Sequence, residues 1–283
     1  MIEDSIIPAI LGRPTFASLV VSNSIAFADL ESTFPSASYS GRYAVVVING
    51  MNVLMQSDGT AWKPANGQCT LEVSGVGYGI MPSGTVSTGS SGHFVSGTAL
   101  PHKYSEGLWM YIVSPSTTPA LTAGFYWCVF STTAICTIYQ NGAGSSAYNF
   151  TVGAATTGST SEITMRTVSI PGGLMGNYGQ LVWDMSYSLL GSTTRTMKLK
   201  LGGQTCLSSV TTSGTTNISN NGTISNSGSG VQYSKSVIGA ILATAVTRTT
   251  ADTTANMDFV MTMQLGTATE TMISHHLQLN LYK

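Results

Sequence analysis

The side chains able to do acid–base, nucleophilic or metal chemistry are few and scattered. Four histidines occur: His93, His102, His275 and His276. If the run around the adjacent pair is a strand, its two rings point to opposite faces and cannot converge on one metal ion. His275 falls in the apolar register of that run, where a satisfied core or interface histidine is expected. His93 sits in a Gly/Ser stretch and His102 beside Pro101, neither with a carboxylate or cysteine at ligand spacing. Cys69, Cys128, Cys136 and Cys206 form no C-x-x-C pair and are expected as reduced, buried residues. Glu162, Asp184, Asp252, Asp258 and Glu270 single out no opposed pair for glycoside hydrolysis. There is no G-x-S-x-G elbow, and Gly172-Gly173 and Gly202-Gly203 lack the G-K-[ST] of a phosphate loop. No catalytic residue, metal or cofactor is assigned, and the chain is expected not to be an enzyme.

Binding chemistry has more support. Sugars are held by aromatic faces combined with neutral hydrogen-bonding groups, and exposed Tyr can supply both. Tyr178, Tyr187 and Tyr233 are the candidate glycan or subunit contacts, alongside the aromatics between residues 109 and 139. An aromatic on a strand serves a core equally well, so the two roles stay open here.

The elements that must position these residues are strands. Leu181, Trp183, Met185, Tyr187 and Leu189 occupy alternate positions, as do Met197, Leu199 and Leu201. The same period of two recurs at Met257, Phe259, Met261, Met263 and Leu265, and again at Ile273, His275, Leu277, Leu279 and Leu281. Alternation puts each set on one face of a strand. Residues 163–170, 231–237 and 240–246 read as further strands, and 211–230, rich in Thr, Ser, Asn and Gly, as a solvated surface loop. Near the start, residues 27–31 form the best helical fragment, ended by Pro35. A hairpin follows, with strands at 42–48 and 52–56 about an Asn49-Gly50 turn. Residues 83–97 read as loop, 108–113, 125–130 and 134–139 as apolar strands, and 156–161 as a flexible joint. The expected fold class is all-β: a small N-terminal β-hairpin module followed by an antiparallel, jelly-roll-like β-sandwich. Three segments are expected: 1–72 as an attachment module, 73–153 as an aromatic-rich β region, and 154–283 as the sandwich.

Composition narrows the function classes. Charged residues are 8% of the 283 and net charge is −1, while 37 Ser and 38 Thr carry small hydroxyls. Nucleic-acid binding needs a basic excess that is missing. Disorder is the opposite of 42% hydrophobic residues with low net charge. No apolar run approaches the roughly 20 residues of a membrane span, so membrane insertion is not expected. Glu3 and Asp4 stand where a signal peptide would carry Lys or Arg, so synthesis in a cytoplasm is expected, and the sequons at Asn149, Asn217 and Asn221 are attributed to chance. Neutral hydroxyl surfaces are cheaper than ionic ones to bury against another subunit. The composition therefore predicts a protein that works packed against copies of itself or larger partners.

Two stretches resemble a known family. Ser57-Asp58-Gly59-Thr60-Ala61-Trp62-Lys63-Pro64-Ala65-Asn66-Gly67, preceded by 15–19, 27–30 and 41–43, is similar to a module of tailed-bacteriophage structural proteins. The segments at 124–133, Ile170-Pro171-Gly172-Gly173-Leu174-Met175-Gly176 and 198–203 are similar to phage fibre-type proteins that end in a β-sandwich. The resemblance implies a virion component made in the host bacterial cytoplasm: a trimeric tail fibre or tail appendage that contacts other virion proteins and host surface polysaccharide. It also leaves open a capsid decoration or head fibre, and a glycan depolymerase. The attachment module would be carried by Asp58, Gly59, Trp62 and Pro64. The family supplies no catalytic set, and no heptads or β-helix repeats indicate a long shaft.

Overall fold

The computed structural model describes residues 25–88, 93–96, 99–100, 104–150, 155–156, 158–212, 214, 216–228, 231–238, 241–242 and 247–283. The 15–19 stretch, His102 and residues 243–246 of an expected strand lie outside the described residues.

Strand β1 (Ile25–Ala26) leads into helix α1 (Phe27–Thr33), which buries Leu30 and stops at Phe34. Pro35 follows, and the residue before a proline is pushed out of the helical region. Strands β2 (Tyr43–Ile48) and β3 (Met51–Ser57) form the expected hairpin. Its turn residues Asn49 and Gly50 both have positive φ, 50° and 77°, as a two-residue turn matching strand twist requires. Ala44, Val46 and Ile48 are buried on one face. Strand β4 (Trp62–Pro64) completes a four-stranded sheet in the order β1-β2-β3-β4.

Strands β5 (Gln68–Ser74), β6 (Tyr78–Ile80), β7 (Gly84–Val86) and β8 (His93–Ser96) come next. The expected loop at 83–97 is therefore corrected: β7 and β8 pair, with Gly84 opposite Ser96. Gly84 permits the approach, because a Cβ there would meet the Val95 carbonyl oxygen at 2.3 Å, and buried Phe94 anchors β8. Strands β9 (Leu108–Ile112), β10 (Gly124–Phe130) and β11 (Ile135–Tyr139) follow, then β12 (Ala155–Thr156) against β7. Phe94, Met110, Phe130, Ile138 and Phe150 form a core of their own that also takes in Ile273. At the expected joint, Gly158 and Ser159 are buried, and the Gly158 amide donates to Ser83 Oγ at 3.1 Å.

The remaining strands are β13 (Ile163–Ile170), β14 (Gln180–Leu190), β15 (Arg195–Leu201), β16 (Gln204–Thr211), β17 (Thr216–Asn226), β18 (Gln232–Ile238), β19 (Ile241–Leu242), β20 (Thr247–Thr249), β21 (Met257–Gln264) and β22 (Thr271–Tyr282). They build the antiparallel sandwich, the chain alternating between layers. One layer runs β13-β21-β15-β16, and the other contains β22-β14-β17-β18, extended through β6 into the central strands. The alternating apolar sets meet between the layers, where Trp183 and Phe259 lie 6.3 Å apart. Each such side chain contributes about 1.5–3 kcal/mol on burial. Leu30, Val46, Met55 and Trp62 belong to this same hydrophobic cluster.

The 211–230 stretch is a second correction. Residues 216–226 are a strand paired with β14 along its length, from Gln180–Ser225 to Leu189–Thr216. Its inward positions mix Ile218 and Ile224 with the buried amides Asn220 and Asn226, and Asn220 Nδ2 is left without a partner among the described residues. Fully buried Asn220 accepts from Trp183 Nε1 at 2.9 Å, and Asn226 Nδ2 donates to Thr253 Oγ1 at 3.2 Å. On β18, buried Gln232 accepts from the Ala251 amide at 2.7 Å and donates to the Ala251 carbonyl at 3.0 Å. Such amides remove the apolar alternation by which a strand is recognised in sequence.

Candidate functional site

One face of the large sheet carries an open row of tyrosines and neutral polar residues. Across it, Tyr282 pairs with Gln68 on β5 and with Gln180 on β14. Gln180 pairs with Ser225 on β17, Ser225 with Tyr233 on β18, and Tyr233 with Arg248 on β20. Residues directly opposite in antiparallel strands share a face. Their neighbours Leu281, Leu181 and Ile224 turn the other way, into the core. Tyr282 is 39% and Tyr233 46% exposed, and Gln180 Nε2 donates to Ser225 Oγ at 3.1 Å. The next row holds Thr70, Asn280, Val182, Thr223 and Lys235, with Thr70 Oγ1 donating to Asn280 Oδ1 at 2.9 Å. Arg248 is the charged member of the first row.

Beyond the end of this row lies a cleft of about 610 Å³, lined by Thr60, Lys63, Pro64, Asn177, Tyr178 and Lys283 among others. Two of the quoted motifs build it. In the first, Asp58 Oδ1 accepts from the Thr60 amide at 2.8 Å, Thr60 Oγ1 at 2.7 Å and the Ala61 amide at 2.9 Å. Its other oxygen pairs with Lys63. Lys63 first, and then Thr60, hold the Asp58 carboxyl well below the usual carboxylate range. Gly59 sits at φ 88°, and Ser57 Oγ ties the turn to the Ser36 carbonyl at 2.7 Å. In the second motif, Leu174 and Met175 are fully buried while Gly173 and Gly176 turn the chain at φ 76° and 59°. That plug delivers Asn177 and Tyr178 to the surface. Tyr178 is 83% exposed, its ring set against Gly228.

Lys283 closes the cleft. Its backbone amide donates to the Gly67 carbonyl at 2.7 Å, and its stem crosses Gly176, where a Cβ would lie 2.7 Å from Cε. Desolvation first, then the neighbouring Lys63 charge, lowers the ammonium's affinity for its proton, while Asp58 opposes the shift. A larger depression of about 760 Å³ lies beside β2, β13 and β21. Its acids are already engaged, Asp252 by Thr254 and Asp258 by Ser169.

The candidate residues divide clearly. Tyr178 and Tyr233 are exposed, as a contact requires. Tyr187 is 1% exposed with its hydroxyl 3.5 Å from Ser209 Oγ, so it is a core residue and not a surface contact. Trp62 is 4% exposed and donates from Nε1 to the Phe34 carbonyl at 2.8 Å. Pro64 is also buried. Trp62 is spent joining β4 to the helix segment and cannot form an attachment surface, while Pro64 pairs with Met55 in the hairpin sheet. Asp58 and Gly59 form the turn itself. Lys63, Lys283, Asn177 and Tyr282 were not singled out from the sequence; Lys63 and Tyr282-Lys283 adjoin recognised runs, which is the signal that could have found them.

The histidines also depart from expectation. A bulge in β22 opposite Ser186/Tyr187 brings His275 Nε2 to Ser188 Oγ, on the same side of β14 as Ser186, the partner of His276. An inserted residue breaks the strict alternation that would have opposed the two rings. Ser188 donates to Asn217 Oδ1, so His275 donates in turn to Ser188. The imidazole stacks on Tyr104 at 5.9 Å, and burial pushes the Tyr104 hydroxyl up to about 12. At 1% exposure Ser188 is out of reach of a substrate. This cluster fastens the central strands to the sandwich.

No family model matches the chain, and no curated protein matches it. A solved structure described as lectin UEA-II complexed with galactose is similar over 74% of this chain and 99% of that one, at 5% identity and a TM-score of 0.27. A score of that size places no residue of one chain on a functional residue of the other.

Proposed function

We propose that this chain is a non-catalytic, glycan-contacting structural protein, a trimeric tail-fibre or tail-appendage component of a bacteriophage virion. The observation that carries the glycan part is the open row Tyr282–Gln180–Ser225–Tyr233. Tyrosine rings offer apolar faces to the C–H patches of a sugar, while the Gln and Ser groups between them exchange hydrogen bonds with its hydroxyls. Neutral groups release water at lower cost than ions, so the rings and hydroxyls of a polysaccharide can lie along such a row. The virion part is supported by the motif resemblance and by the hydroxyl-rich composition suited to subunit contacts.

The test is retention of the purified full chain on bacterial surface polysaccharide, compared with the Tyr233→Ala/Tyr282→Ala double variant. Loss of two stacking residues should weaken binding by between about fivefold and about 150-fold, taking about 0.5–1.5 kcal/mol for each aromatic contact. Equal retention of both proteins, or of neither, would overturn the reading. The polymer's chain length should stay unchanged throughout; shortening would instead mark a depolymerase.

A further inference from the structure

The cleft at the end of β22 carries two ammonium groups, Lys63 and Lys283. Lys283 directly follows Tyr282 and turns to the other side of the strand, and Tyr178 stands two residues before Gln180, so the cleft lies at the strand ends beside the tyrosine row. Among the described residues, the Lys283 ammonium makes one hydrogen bond, to the Leu174 carbonyl at 3.5 Å. An ammonium has three donors. Lys63 faces the same cleft and shares its charge with Asp58. Two lysine side chains thus stand against one side-chain carboxylate, Asp58. The exposed Tyr178 ring and the Asn177 amide border the same space.

We infer that this cleft takes an acidic sugar residue, its carboxylate held by Lys283 and Lys63 and its ring laid against Tyr178. The inference rests on the glycan reading and makes it specific: the polymer bound along the sheet carries uronic-acid-type residues, and the cleft reads them. A carboxylate supplies the acceptors that Lys283 lacks, and charge-assisted hydrogen bonds are roughly twice as strong as neutral ones. The same sugar as its methyl ester keeps ring and hydroxyls but loses the charge. Partial desolvation of Lys283 strengthens its pull on an anion relative to a fully exposed lysine.

The experiment is calorimetric titration of the full chain with oligogalacturonate and with its fully methyl-esterified form at matched length. The acid should bind about tenfold more tightly, with the difference shrinking at high salt. Lys283→Met should abolish that difference, and Tyr178→Ala should weaken binding of both forms. Lys63→Met, at a side chain 41% exposed, provides a second variant should Lys283→Met fold poorly. Equal binding of acid and ester, with both lysine variants neutral, would overturn the acidic-sugar assignment and leave the tyrosine row as a neutral glycan site. Binding of neither polymer would overturn this assignment together with the reading beneath it.

Discussion

Ionised side chains are rare here, and several have a clear local task. Glu162 is the clearest: it accepts from Lys198 at 2.6 Å, from Lys200 at 2.5 Å and from Thr262 Oγ1 at 2.8 Å. Lys198 first, then Lys200, lowers its carboxyl from 4.5 to about 2. A depressed carboxyl gives stability that is present above its ordinary value and lost as pH falls through the depressed one. Glu162→Gln should therefore cost about 1 kcal/mol at pH 7, and the difference from the parent should close as pH falls from 4.5 toward about 2. Melting curves at neutral and strongly acid pH would show it; a constant gap at both would refute the assignment. Tyr178 and Tyr233 could be nominated as contacts from residue type alone, whereas the exclusion of Tyr187 came from burial.

At the scale of elements, strand β17 carries the main lesson. Its Asn and Gly residues have low intrinsic preference for strands, and no sustained apolar alternation marks the segment. What makes the segment a strand is its neighbour β14, which offers a full ladder of partners, and Trp183, whose indole N–H needs an acceptor inside the core. Asn220→Ala removes that acceptor and strands a buried donor, a change worth about 1–3 kcal/mol. Urea unfolding should register the loss, and a midpoint within error of the parent would contradict it. The β7–β8 pair was hidden for a related reason: its strands are three and four residues long, and Gly84 is there for close approach. Strong alternation, by contrast, marked β14, β15 and β21 correctly from the sequence, whereas in β22 it held from Leu277 to Leu281 and the bulge turned Ile273 into the other core.

For the whole molecule, the question is what covers the neutral surface. Val73 and Val210 are each 59% exposed, Val76 41% and Leu54 39%, scattered over a chain with little charge to keep copies apart. Sedimentation of the full chain at micromolar concentration should give a species of three times the 29.5 kDa chain mass. A stable monomer would count against the assembly reading while leaving the tyrosine row and the cleft to be judged on their own tests.

The sequence by itself determined that the chain is all-β, because a period of two is a local property that survives without knowledge of partners. It also determined the hairpin at Asn49-Gly50 and the scarcity of chemistry-bearing side chains. Which tyrosines face solvent was a tertiary decision, since alternation names two faces but not which one is covered. So was the meeting of Lys63 with Lys283, which lie at opposite ends of the chain and come together because β22 pairs with β5 and carries Lys283 to Gly67. A site of that kind depends on sheet register over long separations, and register is set by the packing of every strand at once.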